Sequence, residues 1–475
     1  MAYHHHHPNT IFSLLMSSLQ IQCLLLLHHQ IPQIHANINH NSIKVKTEVF
    51  LSPKIELEPG LVSNKYYVDI GFPRGHLAVK SFNAELVDEA GNPVPLHETY
   101  LHHWVLNRYY LLKDAAQYYH TNLGSPLADV IPVNNSGPCD DVLKQYYGIG
   151  AETRKTATYV PDPYGVEVVK LKITNPTDIP EGYKEGWVLN VHAIDTRGAR
   201  DRLGCTECRC NLYNVTAEKG YLGGLRCCRD GTRCEVGEGF HGVKKSLYLR
   251  YTVKYAEWNP STIVPVKIYL MDVTDVWTRG DDSGGVKGGR HDCVVEYDVD
   301  SCPADVANNG SCIHTKTATF SFPGGGDVIY GVGHQHAAAT GTTLYGEGGR
   351  VICSSNPVYG QGNEPGDEAG YVVGMSTCYP TPGSVKISDG EILTLVSKYS
   401  NDQSHAGVMG LFYILVAHPS HQHKLSLHAQ TQAFTTMMMS KFIWPIVLLG
   451  VALAVVVVFV LKGKTGGGDG YEAMI

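Results

Sequence analysis

Asp327-Val-Ile-Tyr-Gly-Val-Gly-His334-Gln-His336-Ala337 is the stretch on which the reading of this chain turns. A short β-branched and aromatic run, typical of a strand, leads into two histidines one residue apart. On a strand, residues i and i+2 point to the same face. His334 and His336 then present two imidazoles side by side, a two-nitrogen grip for a transition metal. Alone the pattern is weak. With 24 His in 475 residues, chance supplies roughly one His-x-His. A second one, His421-Gln-His423, follows no strand-like run and is expected to bind nothing specifically.

Working outward, the same period-two grammar recurs on both sides. Thr47-Glu-Val-Phe-Leu, Tyr66-Tyr-Val-Asp-Ile and His76-Leu-Ala-Val-Lys are short alternating runs separated by turns such as Pro73-Arg-Gly. Gly165-Val-Glu-Val-Val, Trp187-Val-Leu-Asn-Val, Ser246-Leu-Tyr-Leu-Arg-Tyr and Val264-Pro-Val-Lys-Ile-Tyr-Leu continue the series. Further strands are expected near Val294, Ala318, Val328, Gly349, Ile392 and Leu411. Charged residues are only 17%, with 50 Gly and 28 Tyr, which suits a loop-rich β protein. The expected fold is all-β, with two sandwich domains: 44–262, carrying a Cys-rich insertion at 200–240, and 263–417. Asn259-Pro-Ser marks the hinge. The net charge of −7 and the lack of a long basic run argue against nucleic acid as a partner.

Both ends point to the secretory pathway. Residues 1–36 read as a signal peptide: Ile11 to Leu15 and Cys23 to Leu27 are apolar, and no acid precedes Glu48, although His4 to His7 stand where Lys or Arg is usual. Phe442 to Leu461 is a run of 20 uncharged residues, long enough to span a bilayer as a helix. The expectation is a single-pass membrane protein, with a stalk at 418–441 and a cytosolic tail at 462–475 behind Lys462 and Lys464. Of 13 Cys, Cys23 lies in the leader, which leaves twelve, an even number that fits disulfides in an oxidising compartment. The alternative is a zinc site in Cys205-x-x-Cys208-x-Cys210 with Cys227, Cys228 and Cys234. Sequons at Asn134, Asn214 and Asn309 fall between leader and span, where glycosylation is available.

Three further features bear on metal binding. His102-His103 are adjacent, and two adjacent ligands on a strand require a bulge or a strand end; the plainer reading is one core and one surface histidine. His192 closes an apolar strand, where a satisfied polar residue is the commoner role. Met409 lies in the apolar run Gly407-Val-Met-Gly-Leu-Phe-Tyr-Ile-Leu, where packing is the usual fate of a methionine. Beside imidazoles its thioether becomes a soft ligand suited to Cu(I).

Taken in order, His-His, Val-His, His-x-His and a Met with Tyr413 four residues on resemble the copper type II, ascorbate-dependent monooxygenases, the family of peptidylglycine and dopamine hydroxylases. Over most of Lys44 to Ala417 the chain is most similar to the plant stress up-regulated Nod 19 proteins, which share this arrangement at a distance. The resemblance implies two jelly-roll-like sandwiches with a wet cleft between them. It implies two copper ions, one on His102, His103 and His192 for electron transfer, the other on His334, His336 and Met409 for dioxygen chemistry. Ascorbate would be the electron donor, Tyr413 a catalytic-site residue, and a small molecule or peptide the substrate. Departures are specific: Val332 stands where the peptide hydroxylase has an arginine, Gly410 stands where the family has a cysteine, and His405 is a competing ligand. Three readings follow: a copper-dependent oxidoreductase, a membrane-tethered copper-binding or interaction protein without turnover, and a structural β protein whose histidines are incidental. Convergence of the named side chains separates the third from the others.

Overall fold

His405 to Ala417 is buried at all thirteen positions, and Gly326 to Gln335 at all ten. Strands covered on both faces read as continuous apolar runs, and these two are neighbours in the middle of the molecule. Their side chains alternate between two cores. Met409, Leu411, Tyr413 and Leu415 face one cluster with Tyr330 and Val332, whereas Phe412, Ile414 and Val416 face the other with Phe320, Leu344 and Leu395. Val264–Asp272 does the same, with Ile268 and Leu270 on one side and Tyr269 and Met271 on the other. Burying a side chain such as Phe412 stabilises the fold by roughly 2–3 kcal/mol before entropy is counted.

The computed structural model describes residues 43–113, 130–140, 142–168, 181–278, 289–303 and 312–418. The expected leader, the stalk with His421 and His423, the span Phe442–Leu461, the tail and Asn309 lie outside the described residues. Among the described residues no helix is long and apolar enough to cross a membrane. Among the described residues the α-helix α1, Arg202–Thr206, has five residues, and strands and loops make up nearly all the others.

One sheet runs through the described residues from Lys46 to Ala417. Its order is Lys46–Leu51, Lys245–Glu257, Leu77–Asp88, Tyr164–Val168, Val264–Asp272, His405–Ala417, Gly326–Gln335 and Thr377–Cys378. Every pairing along this path is antiparallel except that of Tyr164–Val166 with Val264–Val266, where the two halves of the chain join. The amino-terminal half of the sheet packs on a five-stranded sheet holding Thr99–Leu112 and Tyr183–Asp195. Phe82 against Trp104, with ring centroids 5.0 Å apart, marks that core. The carboxy-terminal half packs on a four-stranded sheet, Ile313–Ser321, Ile392–Ser400, Ala339–Tyr345 and Val351–Ser355. The described residues from Lys46 to Ala417 therefore pack as β-sandwich layers around one shared sheet, which runs unbroken past the Asn259-Pro-Ser segment. The strand expected near Gly349 is Val351–Ser355, which starts just after the 3-10 turn Glu347–Gly349.

Cysteine chemistry resolves in favour of bridges. Cys205–Cys234, Cys208–Cys228 and Cys210–Cys227 tie the insertion, and Cys139–Cys293, Cys302–Cys312 and Cys353–Cys378 staple the rest. With all six insertion cysteines paired, the zinc alternative falls. The insertion docks on the His405 strand: a Cβ at Gly407 would lie 2.6 Å from the Gly224 Cα, so only glycine permits this approach.

Candidate metal centre

A bulge creates the first half of the site. Along Thr99–Leu112, Leu101 pairs with Ala193 but His103 pairs with His192, leaving His102 as the extra residue. A bulge turns two consecutive side chains towards the same partner. Potential ligand atoms of His102, His103 and His192 accordingly lie within 4.8 Å of one another. Three nitrogens on one ion stand about 3.3–4 Å apart, so small ring movements suffice.

Hydrogen bonds fix which nitrogens are available. The Asn190 amide nitrogen donates to Asn64 Oδ1 (2.8 Å) and to the Lys65 carbonyl (3.1 Å), so its Oδ1 faces His103 Nε2 at 2.7 Å. His103 Nε2 therefore carries the proton and donates, which leaves Nδ1 with its lone pair. Buried His102 Nδ1 and both ring nitrogens of His192 lack a hydrogen-bond partner, although the Cys228 backbone lies near His192. Burial, reinforced by neighbouring histidines, holds His102 and His192 far below the usual imidazole pKa. Burial likewise lowers His103 to about 4, against the pull of Asn190. These rings are neutral near pH 7, the form that binds metal.

The second half comes from the end of the strand Gly326–Gln335. Alternation carries the face of Tyr330 and Val332 on to His334 and then His336. His334 Nδ1 donates to Glu152 Oε1 at 2.5 Å, and Glu152 Oε2 accepts from the Gly150 N–H at 3.0 Å. Such a carboxylate–histidine pair orients the ring and leaves Nε2 as the ligand atom. The His336 N–H donates to the Tyr399 hydroxyl (2.8 Å), which donates to the Met409 carbonyl (2.6 Å). That hydroxyl extends the ladder beyond the Gln335–Gly410 pair and sets His336 opposite Met409. His336 Nε2 is buried without a hydrogen-bond partner of normal geometry, and burial followed by the neighbouring His334 lowers its pKa to about 3, against the pull of the Gly407 backbone.

The two halves meet. Ring centroids are 4.6 Å apart for His102 and His192, 5.0 Å for His102 and His336, and 5.4 Å for His334 and His336. The resemblance implies separated centres across a wet cleft; here five imidazoles form one contiguous cluster at the join between the sandwiches. Beside it lies a cavity of about 300 Å³, lined in part by His102, Glu152, His334 and His336.

Two expected residues behave differently. Tyr413 does not line this cavity. Its hydroxyl accepts from Gln145 Nε2 at 3.1 Å, and it borders a separate small cavity with Phe82 and Trp104. The competing ligand His405 is engaged elsewhere, with Nδ1 donating to Glu207 Oε1 at 2.6 Å. Sequence reasoning missed Asn190, Glu152 and Tyr399. The alternating strand around Asn190 offered a weak clue, a polar residue at an inward position. Glu152 lies 182 residues from His334, with no local pattern to connect them.

The unpartnered buried nitrogens and the neutral rings fit a late first-row metal. No curated protein matches the chain. Solved structures overlap it only loosely. The infectious bursal disease virus Gt strain structure and the same virus's VP2 subviral particle each give a TM-score of 0.17 at 10% identity, covering 80% of this chain and 74% of theirs. The functional form of the mosquito-larvicidal Cry4Aa toxin from Bacillus thuringiensis gives 0.16 at 7% identity, covering 79% and 59%. Overlaps this loose carry no weight for fold or function. The profile of the stress up-regulated Nod 19 family matches residues 43–419, and the chain belongs to that family.

Proposed function

We propose that this protein is a copper-dependent oxidoreductase of the monooxygenase type, acting on a small molecule on the extracytoplasmic side. The observation that carries the reading is the cluster of five imidazoles, four buried and that of His103 partly buried, in which four ring nitrogens lack a hydrogen-bond partner of normal geometry, bordering a ligand-sized cavity. His102, His103 and His192 would hold one ion, and His334, His336 and Met409 the other. When bound, copper would supply one-electron transfer and dioxygen activation, with ascorbate as the reductant. The chain's own residues do the rest. Asn190 and Glu152 fix the tautomers of His103 and His334. Tyr399 holds the strand ends of His336 and Met409 together, and the surrounding core excludes water from the His192 ring. Six disulfides suit an oxidising secretory or extracellular compartment, and Phe442–Leu461 would be the tether.

The test is elemental analysis of the full-length protein made in a secreting host, beside His192→Ala and His334→Ala. About two coppers per chain, falling to about one in each variant, supports the reading, and an ascorbate-dependent oxygen-consumption screen then tests turnover. A well-folded, fully disulfide-bonded protein without tightly held copper sinks it. One observation favours copper binding without turnover: Tyr413 faces a different cavity. Two bound coppers without ascorbate-dependent oxygen uptake would select that reading.

A further inference from the structure

We propose that the cavity beside the histidine cluster takes a small organic carboxylate, held at its mouth by the guanidinium of Arg202. The inference rests on the copper reading only for which end of the molecule reacts; the binding itself needs no metal.

Arg202 opens α1 on the Cys-rich insertion, is exposed to solvent, and lines the cavity. The carboxylates around it are committed elsewhere. Asp201 caps α1 by accepting from the Gly204 N–H (2.9 Å) and pairs with Arg209 (3.3 Å). Glu207 takes both His405 and Arg209. Glu152, the carboxylate in the cavity wall, is engaged by His334 and Gly150. Among the described residues Arg202 has no carboxylate partner. Its polar neighbour is Tyr371, another lining residue, whose hydroxyl is buried without a hydrogen-bond partner of normal geometry. Arg202 nevertheless acts on that phenol, through its charge and a hydrogen bond to the phenol oxygen, and opposes the upward push of burial on it. A guanidinium with further N–H groups beside a phenol O–H is a donor set suited to a carboxylate.

Arg202 is the lining residue with a fixed positive charge, and Leu203 and Val372 supply apolar wall. A molecule with an acid group at one end and an apolar body therefore matches this lining. The insertion, which sequence reading treats as an excursion from the sandwich, supplies the charge that selects it.

The experiment uses the full-length protein, copper-loaded and chelator-stripped. Acetate, benzoate and phenylacetate are titrated against acetamide, benzamide and phenylacetamide by calorimetry and ligand-observed NMR. At least one acid should bind about tenfold more tightly than its amide. Arg202→Gln should abolish that preference and Arg202→Lys should retain part of it. Because Arg202 is exposed, both variants should keep the wild-type melting temperature and all six disulfides. No acid preferred over its amide in the wild type, or a preference that survives Arg202→Gln, overturns the proposal. Arg202-dependent acid binding in a protein that holds no copper would leave this inference standing while the copper reading fails. Two bound coppers without acid preference would mean the reverse.

Discussion

Replacing Tyr399 by Phe tests whether one hydroxyl joins the two strands that carry His336 and Met409. Tyr399 is fully buried, and its hydroxyl both accepts from the His336 N–H at 2.8 Å and donates to the Met409 carbonyl at 2.6 Å. Phenylalanine keeps the ring and its volume, so no cavity opens and the change isolates the two hydrogen bonds. Each buried backbone group left unpaired costs about 1–3 kcal/mol. Allowing some relaxation at the strand end, Tyr399→Phe should destabilise the protein by about 2–4 kcal/mol. Urea unfolding with disulfides intact measures this, in chelator so that metal linkage does not contribute. The midpoint should fall while the slope stays unchanged. A loss below about 0.5 kcal/mol would show that these backbone groups find other partners, and the account of how His336 is set opposite Met409 would be wrong.

Glu152→Gln keeps the shape of the His334 partner but removes its charge; copper at His334 and His336 should bind about 10- to 100-fold more weakly. Competition with a Cu(I) chelator reads this out, and unchanged affinity would show that Glu152 does not orient His334. At Gly410, a Cβ would lie 2.6 Å from Val273 Cγ1 and 2.8 Å from the Ser397 side chain, so Gly410→Ala should cost about 1–3 kcal/mol in thermal or urea unfolding. Tolerance of that change would refute the packing seen there. Burial raises Glu296 to about 7, against the Leu225 N–H and the Tyr221 hydroxyl, which pull it down. A carboxyl whose folded pKa exceeds its unfolded value of 4.5 holds an extra proton when folded, so this group's contribution to stability falls as pH rises from about 4.5 to about 7. The full effect is on the order of 3 kcal/mol. The stability difference between wild type and Glu296→Gln should change with pH across that window and be flat outside it; a difference independent of pH would refute the assignment.

The sequence alone determined the strands, because burial on one or both faces writes itself into local apolar runs such as Val264–Leu270 and Gly407–Leu415. It also named the cysteines available for bridging, because an even count needs no partner assignment, and the resemblance in residue type and order to the copper monooxygenases supplied the six candidate ligands. It did not show that His102 occupies a bulge, since a bulge is a register shift between strands about 90 residues apart in sequence. Nor did it show that His336 lies against His102, or that Glu152, Asn190 and Tyr399 fix rings and strand ends, or that Tyr413 turns away from the cavity. Those outcomes depend on how the shared sheet docks its two sandwiches and on where three disulfides hold the insertion. They are contacts between distant segments, set by packing and hydrogen bonding in three dimensions, and no window of neighbouring residues encodes them.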